Sequence, residues 1–403
     1  MFRQSMNPAV WSIRQADEKS AFAPELVRHV RYLPQESELT SQVRSLRQEH
    51  KIGSAIWDQF NSWGDRGDKT RLYEAAWLGL ELKRAGIRHV HAHFAGMPAR
   101  TAWWIKKFYG IGYSFTGHAN DIFCKTDFPV SLEELFADAR FVATETNFSR
   151  RWLQEKFPTH ADKIFRVYNG IQTEKFSPSN PPPGKPRILS VGRYIEKKGF
   201  RDLIEACRIL DQQGMDFECL IVGEGPLERE LNAQIQQSHL GSKVVLTGPR
   251  LEHEVVQLLG GATLFALPCV READGGSDNL PRVIMEAMAC ALPIISTPIA
   301  GVPEMIEQNT TGVLVGENRP DQLAEAIAGM LKNREGTREM GIRGRQRSIG
   351  KFSTQITTRH LKQLLVRHGK VIPPRRAIQE EPVLLKRIVQ RWTCWGSSDL
   401  RLD

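Results

Sequence analysis

From residue 187 onward the chain alternates short apolar runs with amphipathic stretches. Arg187-Ile188-Leu189-Ser190-Val191 reads as a buried strand, and residues 200–210 show the spacing of a helix with one apolar face. The alternation continues with strand 217–222, helix 227–237, strand 244–246, helix 254–259, strand 263–267, helix 281–290 and strand 293–296. Short apolar strands that alternate with helices predict a parallel, doubly wound α/β sheet. The first half repeats the pattern less cleanly: helix 72–85, strand 90–93, helix 98–109, strand 113–115 and strand 141–144. Between the halves, Asn180-Pro181-Pro182-Pro183-Gly184 can continue neither a helix nor a central strand, so it marks a boundary. A helical run follows from 353 to about 366, and Pro373-Pro374-Arg375-Arg376 breaks it. These punctuation points divide the chain into residues 1–180, 181–352, 353–370 and 371–403.

The polar residues that interrupt this pattern carry the candidate chemistry. Asp278 and Asn279 precede the helix 281–290 and are good N-cap types, and Pro281 suits a first helical turn. Glu286 lies about two turns into a helix otherwise built from Val, Ile, Met and Ala. A carboxylate there needs donors or a solvated cleft, because unpaired burial is costly. The helix N-terminus also favours an anion. One element thus offers amide donors to a phosphate and a carboxylate acceptor to a hydroxyl. A nearer partner for Glu286 is Arg282, four residues back. Arg193 follows Ser190-Val191-Gly192, and Lys198-Gly199 opens the next helix, so two cations flank one strand end. His89, His91 and His93 alternate and share one strand face; without a fourth ligand they make a poor metal site.

The order and spacing of several short motifs resemble the family-4 retaining glycosyltransferases of the GT-B fold, and within them the exopolysaccharide and colanic-acid-type branch. The motifs are His91-Ala92-His93-Phe94-Ala95, Ser114-Phe115-Thr116-Gly117-His118-Ala119-Asn120-Asp121, Asn169-Gly170-Ile171, Val191-Gly192-Arg193 with Lys198-Gly199, and Val222-Gly223-Glu224-Gly225-Pro226. To these is added an acid followed, after seven residues, by Glu286-Ala287-Met288-Ala289. The resemblance covers residues 90 to 350 well and both ends poorly. It implies two Rossmann-like doubly wound domains facing a cleft, an acceptor-side domain first and a nucleotide-sugar domain second, with helix 353–370 crossing back to the first. The chain reaches Ala9-Val10-Trp11-Ser12-Ile13-Arg14, similar to the family's second strand, almost at once, so the N-terminal domain reads as shortened by one strand-helix unit.

The same resemblance assigns roles. Arg193 and Lys198 would grip the diphosphate. Asp278, where most members have Glu, would lie close to the donor sugar, and Glu286 would accept from the ribose. Asn279 and Leu280 would present backbone N–H groups, while Pro281 lacks one. His118 would support the reacting sugar through its ring or backbone, and Asp121 would orient that loop or cap a turn. Gly223 would permit close approach of the donor, and Arg250 or Leu251 would border the base. No Asp-x-Asp motif is present, so a metal-independent mechanism is expected, with fixed cations and helix N-termini stabilising the leaving diphosphate. The implied function is transfer of a hexose-type sugar from a nucleotide-diphosphate sugar to a glycan or polyprenyl-linked acceptor in surface polysaccharide synthesis. Two other readings remain open: a non-catalytic glycosyltransferase-like binding subunit, and a GT-B nucleotide-sugar epimerase.

Bulk properties narrow the setting. The 403 residues carry a net charge of +9, and no nucleic-acid motif accompanies it. No apolar run reaches the roughly 20 residues of a membrane span, and no signal-peptide core opens the chain. Six scattered cysteines without a Cys-x-x-Cys pair suit reduced thiols in a cytoplasmic protein. Residues 382–395 place Leu384, Leu385, Ile388, Val389, Trp392 and Trp395 on one stripe opposite Lys386, Arg387 and Arg391, as in a helix at an anionic membrane surface. The run Trp103-Trp104-Ile105-Lys106-Lys107 adds to the expectation of peripheral association at the inner face of the plasma membrane.

Overall fold

A computed structural model describes residues 8–13 and 29–370, apart from 65, 125, 126, 179, 182 and 274. The described residues form two compact units, the first within 1–145, 150–167 and 358–403 and the second within 146–149 and 168–357. The second unit begins ahead of the proline-rich stretch because Tyr168, Ile171 and Phe176 are buried in its core. The amphipathic stretch 382–395 lies outside the described residues.

In the first unit, β1 (Val10–Ser12) pairs in parallel with β2 (Val30–Tyr32). A separate four-stranded sheet has the order β3 (His89–His93), β4 (Gly112–Gly117), β5 (Val142–Thr144) and β6 (Ile164–Arg166), all parallel. Strand alternation sorts its side chains onto two faces. Val90, Ala92, Tyr113, Phe115, Val142 and Ile164 join a core with the helices Lys69–Arg84, Met97–Tyr109 and Leu132–Asp138. On the other face Phe141, Ala143, Phe165 and Val167 pack with Leu361, Leu364 and Leu365 of the helix Thr354–Arg367.

Trp103 and Trp104 belong to the first of these cores, only 8% and 4% exposed. Trp104 meets Trp63 edge-on at 4.9 Å, and Lys106 and Lys107 both bind Asp138. The Trp-Trp-Ile-Lys-Lys run is therefore a core ridge with paired cations, its tryptophans buried and not presented at a surface. No described helix is long and apolar enough to cross a membrane.

The second unit holds a six-stranded parallel sheet. Its strands are β7 (Arg187–Val191), β8 (Glu218–Val222), β9 (Val244–Leu246), β10 (Leu264–Leu267), β11 (Ile294–Ser296) and β12 (Gly312–Leu314). The order is β12-β11-β10-β7-β8-β9, so the chain winds outward from β7, returns beside it at β10 and winds the other way. That reversal is the switch point outside which doubly wound sheets bind ligands, at the carboxyl ends of the strands. Leu203, Ile204 and Leu210 of the helix Phe200–Gln212 and Ile284, Met285 and Met288 of the helix Arg282–Ala289 are buried against this sheet's core.

Candidate functional site

Residues on both sides of the switch point meet at the strand ends. After β7 the backbone turns through Gly192 and Arg193, and after β8 through Gly223, Glu224 and Gly225. Hydrogen bonds join the two turns: the Gly192 amide donates to the Val222 carbonyl at 2.9 Å and the Tyr194 amide to the Glu224 carbonyl at 2.8 Å. Tyr194 is fully buried and donates its hydroxyl to the Ile221 carbonyl at 2.9 Å, which holds the turn from below. Gly223 has φ +149°, and a Cβ there would lie 1.9 Å from the Gly192 oxygen, so only glycine fits.

Lys198 extends from the β7 side to Asp278 on the β10 side, Nζ to Oδ2 at 2.6 Å, with side-chain exposures of 14% and 18%. Its aliphatic stem runs over Gly192, whose added Cβ would meet Lys198 Cε at 3.1 Å. Gly199 has φ +66° and sits with its Cα against the Pro268 carbonyl after β10, locking the two loops together. Arg193 is half-buried in the turn that follows β7. Arg193, Lys198, Gly223 and Asp278 thus share one end of the sheet, as the strand-end spacing predicts.

The helix bearing Glu286 begins at Arg282, with Pro281 as its N-cap and no side-chain cap. Asp278 and Asn279 are therefore not caps, contrary to the sequence reading. Asp278 is committed to Lys198. The Asn279 Oδ1 accepts from Thr146 Oγ1 at 2.9 Å and Ser149 Oγ at 3.0 Å, and its carbonyl accepts from the Gly301 amide. Asn279 is buried and its side chain is structural, which fixes the backbone of the loop; Leu280 is buried in the core.

Glu286 Oε1 pairs with Arg282 at 3.2 Å, the neighbouring partner that the i,i+4 spacing offers. Burial raises the Glu286 pKa, opposed by Arg282. Oε2 makes no hydrogen bond among the described residues and retains access to solvent, with the side chain 18% exposed, so it can still accept from a hydroxyl. Glu252, which pairs with Lys175 at 2.8 Å, is close enough to Glu286 to add to its upward shift. Glu252 opens the helix that follows Arg250 and Leu251. Leu251 is 66% exposed, an apolar face open to a planar ring, while Arg250 leans weakly on Glu254 at 3.8 Å.

The remaining predicted residue, His118, heads a cluster in the first unit. It follows β4 and caps the short helix Ala119–Phe123 in a capping box with Asp121. Asp121 Oδ2 accepts from the His118 amide at 3.2 Å and the Ala95 amide at 2.9 Å, so it orients the loop and caps the turn at once. His118 Nδ1 meets Glu145 Oε1 at 2.7 Å. An ionised carboxylate only accepts, so Nδ1 carries its proton toward Glu145 and the tautomer is set. Burial lowers the His118 pKa, but Glu145 and Asp121 outweigh it and the net shift is upward. Phe94 lies 4.4 Å from the His118 ring and holds φ 76°, a strained conformation for a bulky residue. Sequence reasoning missed Glu145 and the role of Phe94. No motif marks Glu145, which becomes legible only when β4 and β5 lie side by side.

The three alternating histidines share one face, as expected, and two of them bind hydroxyls of the next strand. His89 Nε2 and His91 Nδ1 each lie 2.8 Å from Ser114 Oγ, and His91 Nε2 lies 3.0 Å from Thr116 Oγ1. Burial lowers all three pKa values, His89 to about 4 and His93 to about 3. Below the ordinary histidine value of about 6.5 the unfolded chain therefore binds more protons than the folded one, so stability falls as pH drops from there toward 4. His118 has the opposite sign, stabilising most at low pH. We expect melting temperature to decline over this window and to decline less steeply in His89→Asn. Thermal melts at stepped pH test this, and an unchanged slope would reject it.

Comparison with known proteins places this geometry. Residues 171–347 match the family Glycosyl transferases group 1. WcaL of Escherichia coli (strain K12), named for glycosyltransfer in colanic acid biosynthesis, is 36% identical over 214 residues, 52% of this chain and 53% of that protein. The chain thus spans about half the length of these curated relatives that it matches. A glycosyltransferase from Rickettsia africae ESF-5 superposes with a TM-score of 0.66 at 21% identity, over 76% of this chain and 83% of that one. Anabaena Alr3699/HepE, solved in complex with UDP, superposes with a TM-score of 0.61 at 18% identity, over 73% and 83%. The doubly wound sheet that carries Arg193, Lys198 and Asp278 lies within the residues matched to the group 1 glycosyltransferase family, and the chain shares the GT-B fold of the Rickettsia africae glycosyltransferase.

Proposed function

We propose that the protein is a metal-independent retaining glycosyltransferase that moves a hexose-type sugar from a nucleotide-diphosphate sugar to a glycan or lipid-linked acceptor in surface polysaccharide synthesis. The observation that carries this reading is the Lys198–Asp278 pair at the carboxyl ends of β7 and β10, with Arg193 in the turn that follows β7. A diphosphate entering there meets two fixed cations, which stabilise the charge that grows on it as the sugar departs. Lys198 exchanges part of its contact with Asp278 for the phosphate, and Asp278 is left to accept from a sugar hydroxyl. The accessible Oε2 of Glu286 suits a ribose hydroxyl, and exposed Leu251 suits a base. From the first unit His118, held by Glu145, is the group assigned to the reacting sugar. The UDP complex of Alr3699/HepE and the colanic acid role in the name of WcaL support the donor class and the pathway type. Retention is assigned to a same-face route in which the leaving diphosphate helps deprotonate the acceptor; trapping a covalent glycosyl-enzyme would sink it.

Calorimetric titration of a panel of nucleoside diphosphates and their sugars, in EDTA, tests the donor site. One nucleotide should bind in the micromolar range, about tenfold more weakly in Glu286→Ala, as loss of one charged hydrogen bond implies. Absence of binding by every nucleotide would overturn the reading.

A further inference from the structure

A cleft in the first unit lies apart from the residues assigned to the sugar donor. It holds about 770 Å³ within the first unit, and its lining includes Arg150, Arg166, Arg359, Lys362 and Arg367. Three elements contribute cations: Arg150 from the helix Asn147–Lys156, Arg166 from the end of β6, and the rest from the helix Thr354–Arg367. On that last helix, positions 359, 362, 363, 366 and 367 follow helical spacing and form one face. Leu361, Leu365 and His368 lie on the other side and pack on the sheet. The basic face is therefore presented to the cleft by the packing of its apolar counterpart.

No carboxylate lines the cleft, and Arg150, Arg359 and Arg367 make no ion pair among the described residues. The Arg150 Nε is buried without a hydrogen bond among them. Grouping like charges raises their mutual repulsion, and an unpaired donor below the surface adds to that cost. The field is also felt by His360, whose pKa is lowered by burial and further by Arg166 and Arg359. Guanidinium forks match phosphate oxygens two at a time, and Phe165, Leu364 and Val366 provide an apolar wall beside them.

We propose that this cleft binds the phosphate or diphosphate group of a ligand, at a site separate from the residues assigned to the sugar donor. Its volume suits a small phosphorylated group better than an extended strand of nucleic acid. The group could be carried by a soluble molecule or by a lipid headgroup, and the same cations would hold either.

The test uses the full chain carrying Lys198→Ala, so that the donor site does not contribute. Pyrophosphate is titrated calorimetrically, and flotation is measured with vesicles of phosphatidylglycerol or of phosphatidylcholine. Adding Arg359→Gln with Arg367→Gln should weaken binding about tenfold or more, the scale of two charge-assisted hydrogen bonds. Both side chains are exposed, so the fold should persist, as circular dichroism would verify. The control Arg334→Gln with Arg338→Gln removes the same charge from the second unit and should change nothing. Pyrophosphate binding assigns the site to a soluble phosphate; binding only to phosphatidylglycerol vesicles assigns it to a lipid headgroup. The proposal is overturned if the control loses as much as the cleft variant, if neither probe binds, or if a single-stranded oligonucleotide binds while both probes do not. Loss of nucleotide binding in Glu286→Ala bears on the donor site alone and leaves this result standing.

Discussion

Replacing Lys198 with methionine should lower kcat/KM for sugar transfer by about 10²–10³-fold, the scale on which removal of one fixed charge-stabilising group acts. The reason is the position of its ammonium group, 2.6 Å from Asp278 at the end of β7, where a departing diphosphate would accumulate charge. The same change leaves Asp278 largely buried without its cation, so stability should fall as well. The double variant Lys198→Met with Asp278→Asn separates the two effects. Its melting temperature should recover while its activity does not, because the neutral amide no longer needs a counter-ion and the leaving group still lacks one. Recovery of both together would make Lys198 a structural residue and remove it from the mechanism.

Glu145→Gln is expected to lower kcat by about 10–100-fold, the usual cost of losing a group that orients a functional imidazole. Glu145 opposes the effect of burial on His118; without its charge the imidazole should titrate well below its present value. Asp121 and His93 also face this ring, and both are retained in the variant. NMR titration of the His118 ring should show the downward shift, and the acid limb of the pH–rate profile should move with it. A structural role for Glu145 would reduce the melting temperature while leaving that limb in place.

Much of this protein is legible residue by residue. The period of apolar positions places β7 and β9 at their observed bounds and the helix Phe200–Gln212 within two residues. Arg193, Lys198 and Gly223 follow their strands closely, so strand ends alone locate them. The helix Arg334–Phe352 is not legible in the same way. It contains Gly336, Gly341, Gly344 and Gly350 and shows no apolar stripe. One of these glycines is required by a close approach: a Cβ at Gly341 would lie 2.0 Å from the Ala291 carbonyl oxygen. A sequence read for periodicity sees helix breakers there, whereas the packed unit uses the lack of a side chain at Gly341. The N-cap reading of Asp278 and Asn279 failed for a related reason, since both residues had a better partner on a distant segment.

The sequence by itself thus determined the α/β alternation, the cations beside the first strand of the second unit, and the carboxylates that flank and enter the helix Arg282–Ala289. Tertiary structure decided which of these meet. The return of the chain at β10 beside β7 joins Asp278 to Lys198, and the pairing of β4 with β5 delivers Glu145 to His118. Local elements are written in spacing, because a helix or strand repeats within a few residues. Partners across a parallel sheet are set by strand order, and each pair of neighbouring parallel strands is separated in sequence by a crossover that carries no record of what lies on the other side.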